Sequence, residues 1–403
     1  MRATRLQAPL HVLLITSFYP SRESPAFAVF CKEQARALAT AGHRVGVLVL
    51  PRPRFSLLPD RAPGPAGELL LAAEDEGPAV LRCPGSVPYD WPRTASLVAR
   101  RRGLHAYARY CRKHGTPDVL HAHFSLYGGD VAVALKEHHG IPVLLTEHHS
   151  AFLTGAIRRG QAPFVRRALA GSDKILAVSP QLARAVAPWA SGREVEVLGN
   201  SVDPGFFTPG EGPPADAPFT VSTVANLRPA KAVDLLIEAF ALAFRGDRAA
   251  LCIGGDGGGE RAALERLAAA RGLAAQVHFL GTLTRAQVRD LFRRSHVVAC
   301  SSRVETFGIT LIEAMACGRP VVATRSGGPE WLVEEGCGGA LVPADDPAAL
   351  AAALRQVREQ TAAARFNPQR IRDGCLRRFA EPVVLGRLAT IYRELAAARP
   401  RSR

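Results

Sequence analysis

A chain of 403 residues, 47% hydrophobic and 22% charged, is long enough for two cores of ordinary size and is composed like neither a disordered nor a fibrous protein. Its eight cysteines include no C-x-x-C pair, which argues against a zinc ribbon or a disulfide framework and for reduced thiols in a cytosolic compartment; its apolar runs are strand-length, short of the roughly 20 residues of a membrane span. The net charge of +15 is uneven: residues 1–199 hold 25 Lys and Arg against 15 Asp and Glu, residues 200–350 hold 14 against 17, and residues 351–403 hold 12 against 4. Two readings stand, an Arg-rich proteome or a first lobe and tail that meet an anionic membrane surface or acceptor. No nucleic-acid partner is expected.

"HVLLITSFYP" reads as a first strand rather than a signal peptide, because no small-residue cleavage site follows it. "FAVFCKEQARALATAG" has the period of an amphipathic helix stopped by Gly42, and "HRVGVLVL" is the next strand. Residues 51–78, rich in Pro, Gly and Glu, read as an excursion from the core. The alternation resumes with a helix near 93–114, the strand "DVLHAHF", a helix at 129–139, the strand "PVLLTEHH", a helix at 163–170, then "DKILAVS" and "REVEVLGN". Prolines and glycines in "NSVDPGFFTPGEGPPADA" mark a boundary. A second series runs through "PFTVSTVANL", "RAALCIGGDG", "AQVHFLGTL", "HVVACSS", "RPVVATRSGG" and "GGALVP", and a helical segment near 376–398 closes the chain.

Repeated strand–helix units predict an α/β fold of two doubly wound parallel sheets with a cleft between the lobes. The expected domains are residues 1–199 with the return of 376–403, and residues 200–375.

Ligands of open parallel sheets bind at the carboxyl ends of the strands, which draws attention to the loop after "HVVACSS". Gly308 allows close backbone approach there, and the helix "ITLIEAMACG" aims its N-terminal N–H groups back at the loop, an arrangement suited to a phosphate. Glu305 and Glu313 flank this turn, and Glu313 is placed to accept hydroxyl hydrogen bonds from a ribose. Read as isolated residues, they are a dipole-complementing charge and an exposed helix residue.

His121 and His123 share one face of a strand and are spaced to chelate, but no cysteine or carboxylate pair completes a metal set. No D-x-D loop calls for a divalent cation, so neither metal nor cofactor is expected. "GGDGGGE", Gly254 to Glu260, reads as a strand-to-helix turn. Arg100 to Arg102, "AIRRG" and "FVRRALAG", with Phe152, Leu153, Phe164 and Val165, read either as an interfacial amphipathic patch or as a solvated basic face.

"VETFGITLIEAMACGRPVVATRSGGPEWLV" closely resembles the donor-site signature of the family-4 retaining glycosyltransferases of the GT-B fold, and matches follow in order along nearly the whole chain. The resemblance implies a nucleoside-diphosphate-sugar donor and a saccharide or lipid-linked acceptor. It implies that Glu305 touches the donor sugar, that amides around Thr306, Phe307, Gly308 and Ile309 bind sugar or phosphate, and that Glu313 binds the ribose. Lys231 matches the lysine that holds the diphosphate. Asn226 stands at the family's arginine position, with Arg228 nearby as a second cation, and Ala225 and Ala232 replace glycines. Ala28 likewise stands where relatives carry a glycine after the first strand. His148 matches the histidine that positions sugar or acceptor.

The implied activity is sugar transfer to a hydroxyl with retention, in cell-envelope polysaccharide or glycolipid synthesis, by a cytoplasmic enzyme that is peripheral on the membrane's inner face. An epimerase of the same fold and a silent sugar-nucleotide-binding protein are the rivals.

Overall fold

The computed structural model describes residues 8–21, 28–54, 70–73, 77–83, 85–88, 91–257, 259–334 and 338–399. The chain divides into two compact units: one of residues 1–178, 182–198 and 385–403, the other of residues 179–181 and 199–384. Residues 376–384 therefore belong to the second unit.

The first unit contains β1 (His11–Thr16), β2 (Arg44–Val49), β3 (Arg52–Arg54), β4 (Leu70–Ala73), β5 (Ala79–Arg82), β6 (Ser86–Pro88), β7 (Val119–His123), β8 (Val143–Glu147), β9 (Lys174–Ala177) and β10 (Glu196–Val197). Eight of these form one sheet in the order β10-β9-β8-β7-β1-β2-β5-β4, and β3 pairs separately with β6. Every pairing in the sheet is parallel except β4 with β5. β1, β7 and β8 are buried along their whole length, which is why they read as unbroken apolar runs rather than alternating ones.

The reading of residues 51–78 as excursion needs correction at β4. Leu70–Ala73 adds an antiparallel edge to the sheet, as short apolar segments next to a parallel sheet often do. Residues 55–69 and 74–76 lie outside the described residues.

The second unit contains β11 (Phe219–Val224), β12 (Ala249–Gly254), β13 (Val277–Gly281), β14 (Val297–Cys300), β15 (Val321–Thr324) and β16 (Gly339–Val342), all parallel, in the order β13-β12-β11-β14-β15-β16. The strand order reverses beside β11, so the loops after β11 and β14 leave neighbouring strands in opposite directions and open a crevice at the sheet's carboxyl edge. Phe219, Val221, Leu251 and Ile253 pack beneath the helices Val233–Phe244 and Pro347–Ala362 to form this unit's core. The C-terminal helical segment is two helices, Pro368–Phe379 and Glu381–Ala397, separated at Ala380, where the backbone turns extended.

Candidate functional site

In the second unit, the chain leaves β11 and makes one 3-10 turn, Pro229–Lys231, before the helix beginning at Val233. The loop after β14 ends at Gly308, whose φ of 103° opens the helix Ile309–Ala316 with no side-chain cap. Hydrogen bonds sew the two loops together. Arg303 N donates to Ala230 O at 2.8 Å and Ser301 Oγ donates to Lys231 O at 3.0 Å. The Arg303 guanidinium donates to Pro229 O at 2.8 Å and pairs with Asp234 at 3.1 Å and Asp345 at 2.6 Å.

The result is that Lys231 Nζ lies 2.5 Å from Glu305 Oε2, with the lysine side chain 30% and the glutamate side chain 15% exposed, so the pair is accessible to a ligand. Burial is the strongest influence on the Lys231 ammonium and pulls its pKa down. The Glu305 carboxylate, helped by smaller effects, outweighs it; the net shift is upward, and Lys231 is a cation at neutral pH. Arg228 is exposed and its charge reaches Lys231.

Glu305 itself is clipped in place. Its N–H donates to Ser326 O at 2.9 Å, its carbonyl accepts from Gly328 N at 2.7 Å, and its Oε1 accepts from Phe307 N at 3.3 Å. Gly328 permits this closeness, since a Cβ there would lie 2.3 Å from Phe307 Cα. Glu330 accepts from Gly327 N at 2.9 Å and steadies the same turn.

The other expected donor-site residues lie on the same two loops and on the helix that follows the second. Thr306 and Ile309 are half-buried in the loop and at the helix start, and Glu313 is half-buried on the helix's second turn. The Phe307 amide is engaged by Glu305, and its ring is an anchor in the core, edge-on to Trp331 and Phe379 at 6.1 and 5.6 Å. Asn226 is exposed beside Gly257, where a Cβ would come within 2.7 Å of its Oδ1. The Gly-rich turn joins β12 to the helix Arg261–Ala270, with Gly258 outside the described residues. Arg303, Ser301 and Gly328 escaped the sequence reading, because a residue that ties two loops about 70 positions apart leaves no local pattern.

In the first unit, His148 is buried immediately after β8, its ring 4.6 Å from that of Phe30 and 5.1 Å from that of Phe124. The buried Glu147 carboxylate holds this turn by accepting the N–H groups of Ser125, His148 and His149, each at 2.9 Å. His121 and His123 do share a face, with ring centroids 4.4 Å apart. Their partners are Tyr392, Thr146 and His148, and no group of three or more metal-ligating side chains occurs among the described residues. Ala28 has a φ of 53°; its neighbours Pro25 to Phe27 lie outside the described residues.

Of the arginines and apolar residues read as a patch or a solvated basic face, Phe152 and Val165 are buried and Arg100 and Arg167 both pair with the buried Asp130 at 2.9 and 2.7 Å, tying helices together, whereas Arg101, Arg158, Arg159 and Arg166 are exposed. No described helix is long and apolar enough to cross a membrane.

Two family models match, glycosyl transferases group 1 over residues 209–370 and glycosyltransferase family 4 over residues 28–206. A D-inositol 3-phosphate glycosyltransferase from Geodermatophilus obscurus is 30% identical over 358 residues, which are 82% of this chain and 76% of that protein. Among solved structures, sucrose-phosphate synthase from Thermosynechococcus elongatus superposes with a TM-score of 0.79 at 21% identity, covering 96% of this chain and 100% of that one. Anabaena HepE in complex with UDP-glucose gives 0.72 at 20% identity, over 95% and 99% of the two chains. Two Rossmann-like parallel sheets with these neighbours are the GT-B fold. The chain belongs to the family-4, group 1 glycosyltransferases.

Proposed function

We propose that the protein transfers a sugar, with retention, from a nucleoside-diphosphate-sugar to a hydroxyl acceptor, and that its second unit holds the donor. The observation that carries this reading is the Lys231–Glu305 contact at the uncapped start of the helix Ile309–Ala316. Lys231 and Arg228 face the diphosphate, where negative charge accumulates as the bond to the sugar breaks, and fixed cations stabilise it there. Glu305 takes the sugar hydroxyls and Glu313 the ribose. With side-chain cations on the leaving group, the reaction needs no divalent metal. The leaving phosphate takes the acceptor's proton on the face from which it departs, which gives retention without a protein nucleophile. His148 of the first unit positions sugar or acceptor.

UDP is the first nucleotide to test, because a structural neighbour holds UDP-glucose. A phosphorylated polyol is the first acceptor, since a relative bears an inositol phosphate in its name and the excess of basic residues over 1–199 suits an anion. Incubation with UDP-sugars, acceptor and a chelator should give a product of unchanged anomeric configuration by NMR. Inverted product or chelator-abolished transfer would refute retention or metal independence, and rapid epimer formation without acceptor would favour the epimerase.

A peripheral site on an anionic membrane, consistent with a role in cell-envelope synthesis, is supported by the helix Pro92–His114. It carries no acid, its Arg93, Arg101, Arg112 and Lys113 are exposed, and Trp91 and Leu97 at its start are each 60% exposed. Sedimentation with anionic vesicles at low salt, lost in high salt and with neutral lipid, is the expected result; absence of binding at low salt removes this element.

A further inference from the structure

The buried histidines of the first unit form a chain whose protons are constrained by geometry. His121 is satisfied on both sides, with Nδ1 2.7 Å from Tyr392 Oη and Nε2 2.8 Å from Thr146 Oγ1, and either hydroxyl can donate or accept. His123 differs. Its Nδ1 lies 3.0 Å from His148 Nε2, the two rings 27° from coplanar, while its Nε2 is buried with no partner. Nδ1 of His148 is bonded to no described group.

Two proton placements fit a 3.0 Å contact between neutral rings. If His148 Nε2 donates, the His123 proton sits on Nε2 and a buried N–H is orphaned. If His123 Nδ1 donates, Nε2 keeps only an unmatched lone pair. Orphaned N–H groups are rarer in folded proteins than unmatched acceptors, so the second placement is preferred. It leaves the His148 proton on Nδ1. Both rings stay neutral at physiological pH, because burial lowers each of them, His123 to about 3. The charged and titratable groups around the pair do not supply a cationic alternative: His121 is also lowered by burial, His149 is lowered by burial against the opposing pull of Glu147, and Glu147 is spent on three amides.

We propose that His123 is a positioning residue that locks His148 in the Nδ1–H tautomer, so that His148 offers a hydrogen-bond donor to a hydroxyl or phosphoryl oxygen of the bound reactants and does not act as a base. The claim deepens the reading of His148 given above and rests on it for its functional meaning. The lock itself is a property of the unliganded protein.

The test is long-range 1H–15N NMR on protein labelled with 15N-histidine, with His148 assigned by its loss in His148→Gln. The expected spectrum shows His148 and His123 each protonated at Nδ1 and bare at Nε2. His123→Asn, whose amide N–H replaces Nδ1–H, should keep the His148 tautomer and most of the transfer rate. His123→Phe should give a mixed or reversed tautomer and a fall in kcat/KM of about 10–100-fold, the scale seen when a partner that fixes an imidazole is removed. A wild-type His148 protonated at Nε2 overturns the lock, and so does an unchanged tautomer in His123→Phe. If His123→Phe does not fold, the wild-type and His123→Asn spectra decide. Wild-type turnover by His148→Gln together with the expected spectrum would refute the role given to His148 while supporting the lock.

Discussion

Ala28 and Ala232 occupy positions where the family pattern has glycine, and both keep a left-handed backbone, with φ of 53° and 47°. A Cβ in that region meets its own carbonyl, at roughly 1–2 kcal/mol per residue. At Ala232 the methyl is fully buried in the core, which offsets part of the strain. Ala28 is only half-buried, so Ala28→Gly should stabilise the protein by about 1 kcal/mol in urea unfolding; a loss of stability would show that the methyl packs better than its conformation suggests. The substitutions were legible in the sequence, but the retained backbone shape was not, because alanine is ordinarily the mark of a helix interior. Glu305 and Lys231 were legible as residues. Their contact follows from loops whose closure no single segment encodes.

The loops after β11 and β14 behave as one element because Arg303 bridges them. Its neutral removal leaves Asp234 and Asp345 unpaired and frees the turn that carries Lys231. Arg303→Ala should therefore weaken donor binding about tenfold while leaving the KM for acceptor unchanged, measured by calorimetry and steady-state kinetics. Equal loss for donor and acceptor would point to general unfolding of the unit instead. The sheets themselves were readable strand by strand, since parallel strands buried on both faces announce themselves as apolar runs. β4 was not, because Leu70–Ala73 sits inside a Pro- and Gly-rich stretch that outweighs four residues in any window.

At the scale of the molecule, the chain carries His121, His123 and His148 buried and neutral, each with its pKa lowered chiefly by burial. In the unfolded chain these rings take protons as pH falls through about 6.5, while in the folded state they do not until far lower. The stability they contribute is complete above that pH and is lost as pH falls below it, at about 1.4 kcal/mol per pH unit for each ring. Denaturant titrations from pH 7 to pH 5 should show that decline, shallower by one proton in His123→Asn; equal slopes would contradict the assignment of buried neutral rings. Whether Lys231 and Glu305 hold the donor is decided by calorimetric titration of the wild type, Lys231→Ala and Glu305→Gln with UDP and with UDP-glucose. Lys231→Ala should weaken both ligands at least tenfold, whereas Glu305→Gln should spare UDP and remove only the extra affinity of the sugar. Wild-type binding of both ligands by Lys231→Ala would contradict that role.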